Sequence, residues 1–130
     1  MWPRVNGLRA LELGTPGRLR ARLNSLVLSG DKTATASLLD EYGQEREVLE
    51  QVGERLALLD DAGEPVAVVE VTAVETVPFG EVDMAFAFDE GEGYTSVEHW
   101  RETHAEFWAE LGTPVTAETP VVCLHFRLAD

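Results

Sequence analysis

The chain has a single cysteine, no long apolar run and no leader pattern at its first residues, and each shortage excludes a class of protein. Its single cysteine, Cys123, cannot form a disulfide within the chain. No apolar run approaches the roughly 20 residues that a membrane-spanning helix requires. The first residues also lack the basic and apolar pattern of a secretory leader. We therefore expect a soluble cytoplasmic protein that has no membrane partner.

Positive charge is scarce as well. Ten Lys and Arg residues stand against 24 Asp and Glu residues, which gives a net charge of −14 over 130 residues. Because affinity for a phosphate backbone comes mostly from cations that release counterions, this balance disfavours unspecific binding to long nucleic acid. The arginines concentrate before residue 23, however, and most carboxylates lie from Asp40 onward. A local basic patch is compatible with that distribution.

Two helices are indicated by their start and stop signals. Thr15-Pro16 supplies a capping hydroxyl and a first-turn proline, so a helix is predicted from Pro16 to about Ser29, where Gly30 ends it. Thr95 to Glu98 has the spacing of a capping box, which predicts a second helix from Ser96 to about Leu111. The inner stripe of this second helix is unusually aromatic.

Strands are indicated between and after these helices. Arg55–Leu59 and the β-branched run 66–77 flank an Asp-rich turn with a glycine, which is typical of a hairpin. Further strands are predicted over 33–39 and 121–128, and a short strand or irregular segment over 8–13. Residues 44–51 read as a loop or short helical turn, and 81–90 as a short helix or lid-like segment. About six strands and two helices predict a single α+β domain over residues 1–130.

A short motif carries the chemistry that the sequence suggests. Gly30-Asp31-Lys32-Thr33-Ala34-Thr35 places an amine and two hydroxyls at the exit of the first helix. Further along come a glycine-rich turn at 90–93, then Ser96, then the aromatic run that begins at Trp100. In order and spacing, the Gly-x-Lys-x-x-Thr motif and these later residues resemble the ASCH-domain family, whose fold is PUA-like. The resemblance runs from about Leu11 to Arg127.

The resemblance implies a fold and a function. The fold is a small mixed β-barrel with flanking helices, and its cleft takes a nucleoside, a nucleotide or a short RNA. Some small members of the family are amidohydrolases that remove an acyl group from cytidine, and their catalytic residues match Lys32, Thr35 and Glu92 here. In that activity Lys32 assists as a base or activates water, Thr35 positions the water or the oxyanion, and Glu92 carries a proton.

Two other functions resemble those of relatives. One is a noncatalytic RNA-binding module, with Arg18, Arg20, Arg22 and Arg101 contacting phosphates and Trp100 stacking on a base. The other is a metal-dependent ribonuclease in which Ser96 matches an implicated serine, although no tyrosine precedes Lys32 as in that branch. We expect Ser96, Trp100, Arg101 and Arg22 to contact the substrate.

Each of these residues also has a purely structural interpretation. Lys32 can complete a helix C-terminus, Thr35 can pair across a sheet, and Ser96 can cap a helix. Trp100 fits a buried stripe, and Glu90 and Glu92 fit an acidic surface loop. The histidines at 99 and 104 are five residues apart and do not share a helix face, so the sequence predicts no structural zinc, and no motif indicates a cofactor.

Overall fold

The computed structural model describes residues 1–129, whose strands form one mixed sheet with helices on both sides. In chain order the elements are β1 (Arg4–Val5), β2 (Leu8–Leu11), α1 (Arg18–Ser29), β3 (Ala34–Leu38), α2 (Leu39–Gln44), β4 (Arg55–Leu59), β5 (Pro65–Pro78), a 3-10 turn (Phe79–Glu81), α3 (Met84–Asp89), α4 (Val97–Glu110) and β6 (Pro120–Leu128). The α+β class and the number of strands that the sequence predicts are therefore confirmed.

The strand order across the sheet is β1-β2-β4-β5-β6-β3. All neighbours are antiparallel except β2 and β4, which run parallel. The long strand β5 pairs with β4 through its first half and with β6 through its second half, and the register shifts between Val71 and Ala73. Within residues 1–129, β1 and β3 do not pair, so the sheet is open and the expected closed barrel is not confirmed.

The alternation of side chains along β6 divides the core between the two faces of the sheet. Val121 and Cys123 point to one face, where they pack with aromatic side chains of the 3-10 turn, α3 and α4. Leu124 and Phe126 point to the other face, where α1 covers them with Leu23 and Val27. The edge strand β3 consequently lies between α1 on one side and α4 on the other, and a cleft opens there.

Several local predictions differ from the structure in detail. Helix α1 begins at Arg18 rather than at the predicted Pro16. Its N-cap residue is Gly17, and no side chain accepts a hydrogen bond from the free amides of its first turn. It ends as predicted, with Gly30 in the left-handed region at φ 87°. The short helix α2 occupies 39–44, just before the polar segment for which a loop or helical turn is predicted. Among the described residues, no helix is both long and apolar enough to cross a membrane.

Candidate functional site

The turn between α1 and β3 is held at both of its ends. The Lys32 amide donates to the Leu26 carbonyl (3.0 Å), which ties the turn to α1. The Thr33 amide donates to the Asp89 carbonyl (2.8 Å), which ties it to the end of α3. Lys32 is the only lysine in the sequence, and just 2% of it is exposed. Its side chain therefore lies inside the molecule rather than at a solvated helix end.

Gly91 lets the turn after α3 approach this lysine. Its φ is +69°, in the left-handed region, and a β-carbon at this position would overlap with the Asp31 carbonyl. Glycine fits both demands, since it has no β-carbon and adopts positive φ at little cost. The two turns therefore lie backbone against backbone, with Glu90 and Glu92 on either side of Lys32.

The ammonium group of Lys32 binds both carboxylates. Its Nζ donates to Glu92 Oε2 (2.8 Å), to Glu90 Oε2 (3.2 Å) and to the Glu90 carbonyl (3.4 Å). Leaving any one of these charges buried without its partner costs about 3–5 kcal/mol. These contacts stabilise the ammonium form of Lys32, and they fix the two carboxylates around it.

Glu90 is the centre of the cluster. Only 2% of it is exposed, and its Oε1 accepts a hydrogen bond from Trp100 Nε1 (2.7 Å) and lies 3.4 Å from His104 Nε2. Burial alone opposes ionisation of this carboxyl group. The hydrogen bond from His104 and the charges of Lys32 and His104 outweigh burial, and they lower the pKa of Glu90 to about 2. Glu90 is therefore a buried anion at neutral pH.

Glu92 has the opposite tendency. Burial raises the pKa of its carboxyl group, and the neighbouring charge of Glu90 adds to the increase, although Lys32 opposes both. Tyr94 donates its hydroxyl to Glu92 Oε1 (3.3 Å), and burial raises the pKa of that phenol so that it keeps its proton. Two carboxylates on one lysine thus differ in their readiness to take up a proton, which is the arrangement that acid and base chemistry uses.

A cavity of about 130 Å³ opens beside these charges, between α1, β3, the turn at 90–94 and α4. Its polar wall comprises Lys32, Thr35, Glu90, Glu92, Thr103 and His104, and its apolar wall includes Leu19, Leu23, Tyr94, Phe107 and Trp108. A dry cavity of roughly 150 Å³ holds a benzene molecule, so this one has room for a single ring.

The structure brings the three predicted catalytic residues to this one cavity. Lys32 and Glu92 are in direct contact, and Thr35 lines the same cavity from the edge strand β3. Arg22 is close to them, since its guanidinium donates to the Glu92 carbonyl (3.2 Å) from the exposed surface of α1. Its position at the turn is compatible with contact to a ligand at the cavity mouth.

The other predicted contact residues do not line the cavity that the described residues form. Ser96 caps α4 and accepts from the His99 amide (3.0 Å). Trp100 is fully buried and stacks on His104 with ring centres 4.1 Å apart, so the structure leaves no indole face free to stack on a base. Arg101 donates to the carbonyls of Gly80 (3.0 Å) and Val82 (3.1 Å). Ser96 and Trp100 have the structural roles that their sequence positions also suggest, whereas the backbone contacts of Arg101 were not predicted.

Two central residues were not singled out by the sequence as site residues. Glu90 resembled an acidic loop residue, and His104 resembled one more member of the aromatic stripe of α4. A signal for His104 is its spacing from Trp100, because residues four apart share a helix face. Glu90 flanks a glycine, as Glu92 does, but its side-chain partners all lie at least ten positions away in the sequence, so its central place was not predictable.

An open mixed sheet with helices on both faces, and a cleft at the edge strand, is a small α+β domain of the PUA-like class. The family model of the ASCH domain matches residues 10–130, and the chain belongs to the ASCH-domain family. Members of this family have RNA-binding or hydrolase-like roles.

Solved structures agree with this membership. An ASCH domain from Lactobacillus crispatus is 30% identical, with a TM-score of 0.78, and the match covers 92% of this chain and 77% of that one. Protein EF3133 from Enterococcus faecalis is 34% identical, with a TM-score of 0.80, and the match covers 92% and 74%. ZmASCH from Zymomonas mobilis shares the fold alone, at 9% identity and a TM-score of 0.53, with 82% and 63% covered. No curated protein matches the chain.

Proposed function

We propose that this protein is an amidohydrolase that removes the acyl group from an N-acylated cytidine-type nucleoside. The observation that carries the proposal is the buried Lys32 ammonium group, held by Glu90 and Glu92 in the wall of a ring-sized cavity. A fixed cation in a water-poor site stabilises the oxyanion that forms when an amide is attacked. Thr35 in the same wall adds a hydroxyl group that can orient the water or the oxyanion.

The contacts favour a division of roles between Lys32 and Glu92. Because two carboxylates stabilise the ammonium form of Lys32, it acts better as the cation that stabilises the oxyanion than as the base. Glu92 is the stronger candidate for the base, since its raised pKa makes the carboxylate more basic than an exposed glutamate. Glu90 keeps the pair in place and remains ionised throughout.

The reaction balances with these groups alone. Glu92 takes a proton from water while the water oxygen bonds to the amide carbon. As Glu92 becomes neutral, the Lys32 N–H that it held turns to donate to the resulting oxyanion. The oxyanion then re-forms the carbonyl group as the carbon–nitrogen bond breaks. The proton held by Glu92 passes to the departing exocyclic nitrogen, which leaves as the amine of the deacylated nucleoside. A carboxylic acid is the second product, and Glu92 is ready for another cycle.

The charges support a neutral nucleoside over an RNA chain as the substrate. Arg20, one of the arginines expected to meet phosphate, is buried and donates to the Leu13 carbonyl (3.0 Å). Arg101 is likewise occupied by backbone carbonyls. With a net charge of −14, few cations remain to attract a polyanion to the cleft.

The test is turnover of a panel of N-acylated cytidines by the wild-type protein and by Thr35→Ala and Glu92→Gln. A short single-stranded RNA is assayed in parallel, with and without added divalent metal. Loss of a general base typically costs 10²–10⁴ in rate, so Glu92→Gln should lower kcat by at least about 100-fold. Glu106→Gln is the matched control, because Glu106 is an exposed glutamate on α4 with no ion pair among residues 1–129.

The outcomes separate the candidate functions. Deacylation that falls in both site variants and persists in Glu106→Gln supports the amidohydrolase. RNA cleavage that depends on added metal would instead indicate a ribonuclease, and Ser96 would be the next residue to replace. If neither substrate turns over, the amidohydrolase proposal fails for these substrates, and the cleft is a binding site.

A further inference from the structure

The hydrogen bonds of His104 decide where its protons are. Its Nδ1 lies 3.0 Å from the Trp100 carbonyl, one helical turn earlier in α4. A carbonyl oxygen only accepts hydrogen bonds, so Nδ1 carries a proton. In a neutral imidazole the other nitrogen, Nε2, would then be an unprotonated acceptor.

That nitrogen faces a carboxylate oxygen. His104 Nε2 lies 3.4 Å from Glu90 Oε1, and both atoms would be acceptors if the histidine were neutral and the glutamate ionised. Glu90 is buried and only 12% of the His104 side chain is exposed, so a proton between the two atoms is the arrangement that satisfies both. Glu90 is the stronger acid of the two groups because Trp100 Nε1 and Lys32 also donate to its carboxylate. The proton therefore belongs to His104, which is an imidazolium.

The cluster is then a row of alternating charges. His104 is positive, Glu90 negative, Lys32 positive and Glu92 negative, so the row as a whole is neutral. Without the imidazolium, two carboxylates would share a single ammonium group in a buried site. The net negative charge would be relieved by a proton on Glu92, since Glu92 is the carboxylate that takes up a proton more readily.

We propose that His104 is a positioning residue held as an imidazolium, which balances Glu90 so that the Lys32–Glu92 pair stays ionised at neutral pH. The inference rests on the proposed function for its catalytic meaning, because an ionised Glu92 is what the proposed base requires. The groups that face His104 are Glu90, the rings of Tyr94, Trp100 and Trp108, and, across the cavity, Lys32 and Glu92. Apart from Lys32, none of these groups is positively charged.

The first experiment requires neither substrate nor variant. In protein labelled with ¹⁵N-histidine, the ring nitrogens of His99, His104 and His125 are followed from pH 5 to 9 by NMR. We expect both nitrogens of His104 to be protonated at pH 7.5, and the exposed His99 serves as the reference signal. A His104 ring with one unprotonated nitrogen at pH 7.5 would overturn the proposal.

The second experiment compares His104→Gln with His99→Gln, a matched change on the same helix. In protein with ¹³C-labelled glutamate carboxyl groups, His104→Gln should move the titration of Glu92 upward, because loss of the imidazolium leaves two carboxylates with a single ammonium group. If deacylation is observed, the acidic limb of the kcat profile should move by the same amount. His99→Gln should move neither.

The two proposals fail in different ways. An unchanged Glu92 titration in a folded His104→Gln variant overturns the role of His104, whatever the protein hydrolyses. If that variant does not fold, the ¹⁵N measurement on the wild-type protein still decides the protonation of His104. Absence of turnover with a protonated His104 and a shifted Glu92 would overturn the amidohydrolase alone.

Discussion

The substitution Glu90→Gln tests the energetic account of the charge cluster. Gln has nearly the same shape as Glu, so its oxygen can still accept from Trp100 Nε1 while the negative charge is lost. Lys32 and His104 would then lie buried with Glu92 as their only close carboxylate. We expect a large loss of stability at neutral pH, because breaking a buried ion pair costs about 3–5 kcal/mol.

The pKa of Glu90 gives a second route to the magnitude. It falls from an ordinary 4.5 to about 2 on folding, and each unit is worth about 1.36 kcal/mol, which gives roughly 3 kcal/mol of stability at neutral pH. Because the folded pKa is the lower one, this stability is present above pH 4.5 and is lost as the pH falls toward 2. At pH 3 about 2 kcal/mol of it should already be gone.

The assay is chemical and thermal unfolding of the wild type, Glu90→Gln and the exposed control Glu106→Gln. An unfolding entropy of about 2.1 cal/mol/K per residue gives about 0.27 kcal/mol/K for 130 residues, so a loss of 3 kcal/mol lowers Tm by about 11 °C. Glu106→Gln should stay within about 0.5 kcal/mol. A Glu90→Gln loss under 1 kcal/mol at pH 7, or one that does not shrink between pH 5 and 3, would refute the reasoning.

Three further outcomes follow from the packing of single residues. Gly91→Ala should both destabilise the protein and lower its activity, because the added β-carbon would overlap with the Asp31 carbonyl and push Glu92 away from Lys32. The control in melting and turnover assays is Gly93→Ala, since Gly93 also has a positive φ but has open space around it. Ser96→Ala should cost about 0.5–2 kcal/mol in denaturant unfolding through loss of the α4 cap, and an altered KM would instead show contact with substrate. Cys123 should resist alkylation at pH 8 in the folded protein, since burial raises the pKa of its thiol to about 12; rapid labelling would contradict that burial.

The sequence predicts those parts of the fold that depend on local signals. The hairpin of β4 and β5, the end of α1 at Gly30 and the start of α4 at Ser96 all follow from turn, glycine and capping chemistry. Closure of the sheet does not follow from local signals. It depends on whether the edge strands β1 and β3 meet, and their residues are about thirty positions apart with four other strands between them in space.

The site residues also divide into those that sequence signals predict and those that depend on contacts between distant parts of the chain. Lys32 and Thr35 are predicted from the Gly-x-Lys-x-x-Thr motif, and Glu92 from its match to a glutamate of the family that the sequence resembles. The burial of Lys32 was not predictable, since a lysine after a helix is ordinarily solvated and only the approach of the turn at 90–93 covers it. The central place of Glu90 was not predictable for the same reason, because its partners come from two distant parts of the chain, the turn after α1 and helix α4.

The distribution of cations also bears on the choice between catalysis and RNA binding. The chain's only lysine is buried with two carboxylates, so phosphate contacts would have to come from arginines. Six of the nine are bound to carboxylates or backbone carbonyls away from the cleft: Arg4, Arg9, Arg20, Arg55, Arg101 and Arg127. Within residues 1–129 that leaves Arg18, Arg22 and Arg46.

Phosphate contacts from these three arginines alone set a limit on how the affinity for RNA would respond to salt. For single strands, the slope of log K against log salt is about −0.7 per phosphate contact, so three arginines give a slope no steeper than about −2. A protein whose function is to hold RNA through its backbone would show a much steeper slope. Binding of a short RNA measured from 50 to 300 mM salt therefore decides the matter: a slope near −2 or shallower leaves the cleft to a neutral ligand, and a slope of −4 or steeper would require a cationic surface that the arrangement of these arginines does not provide.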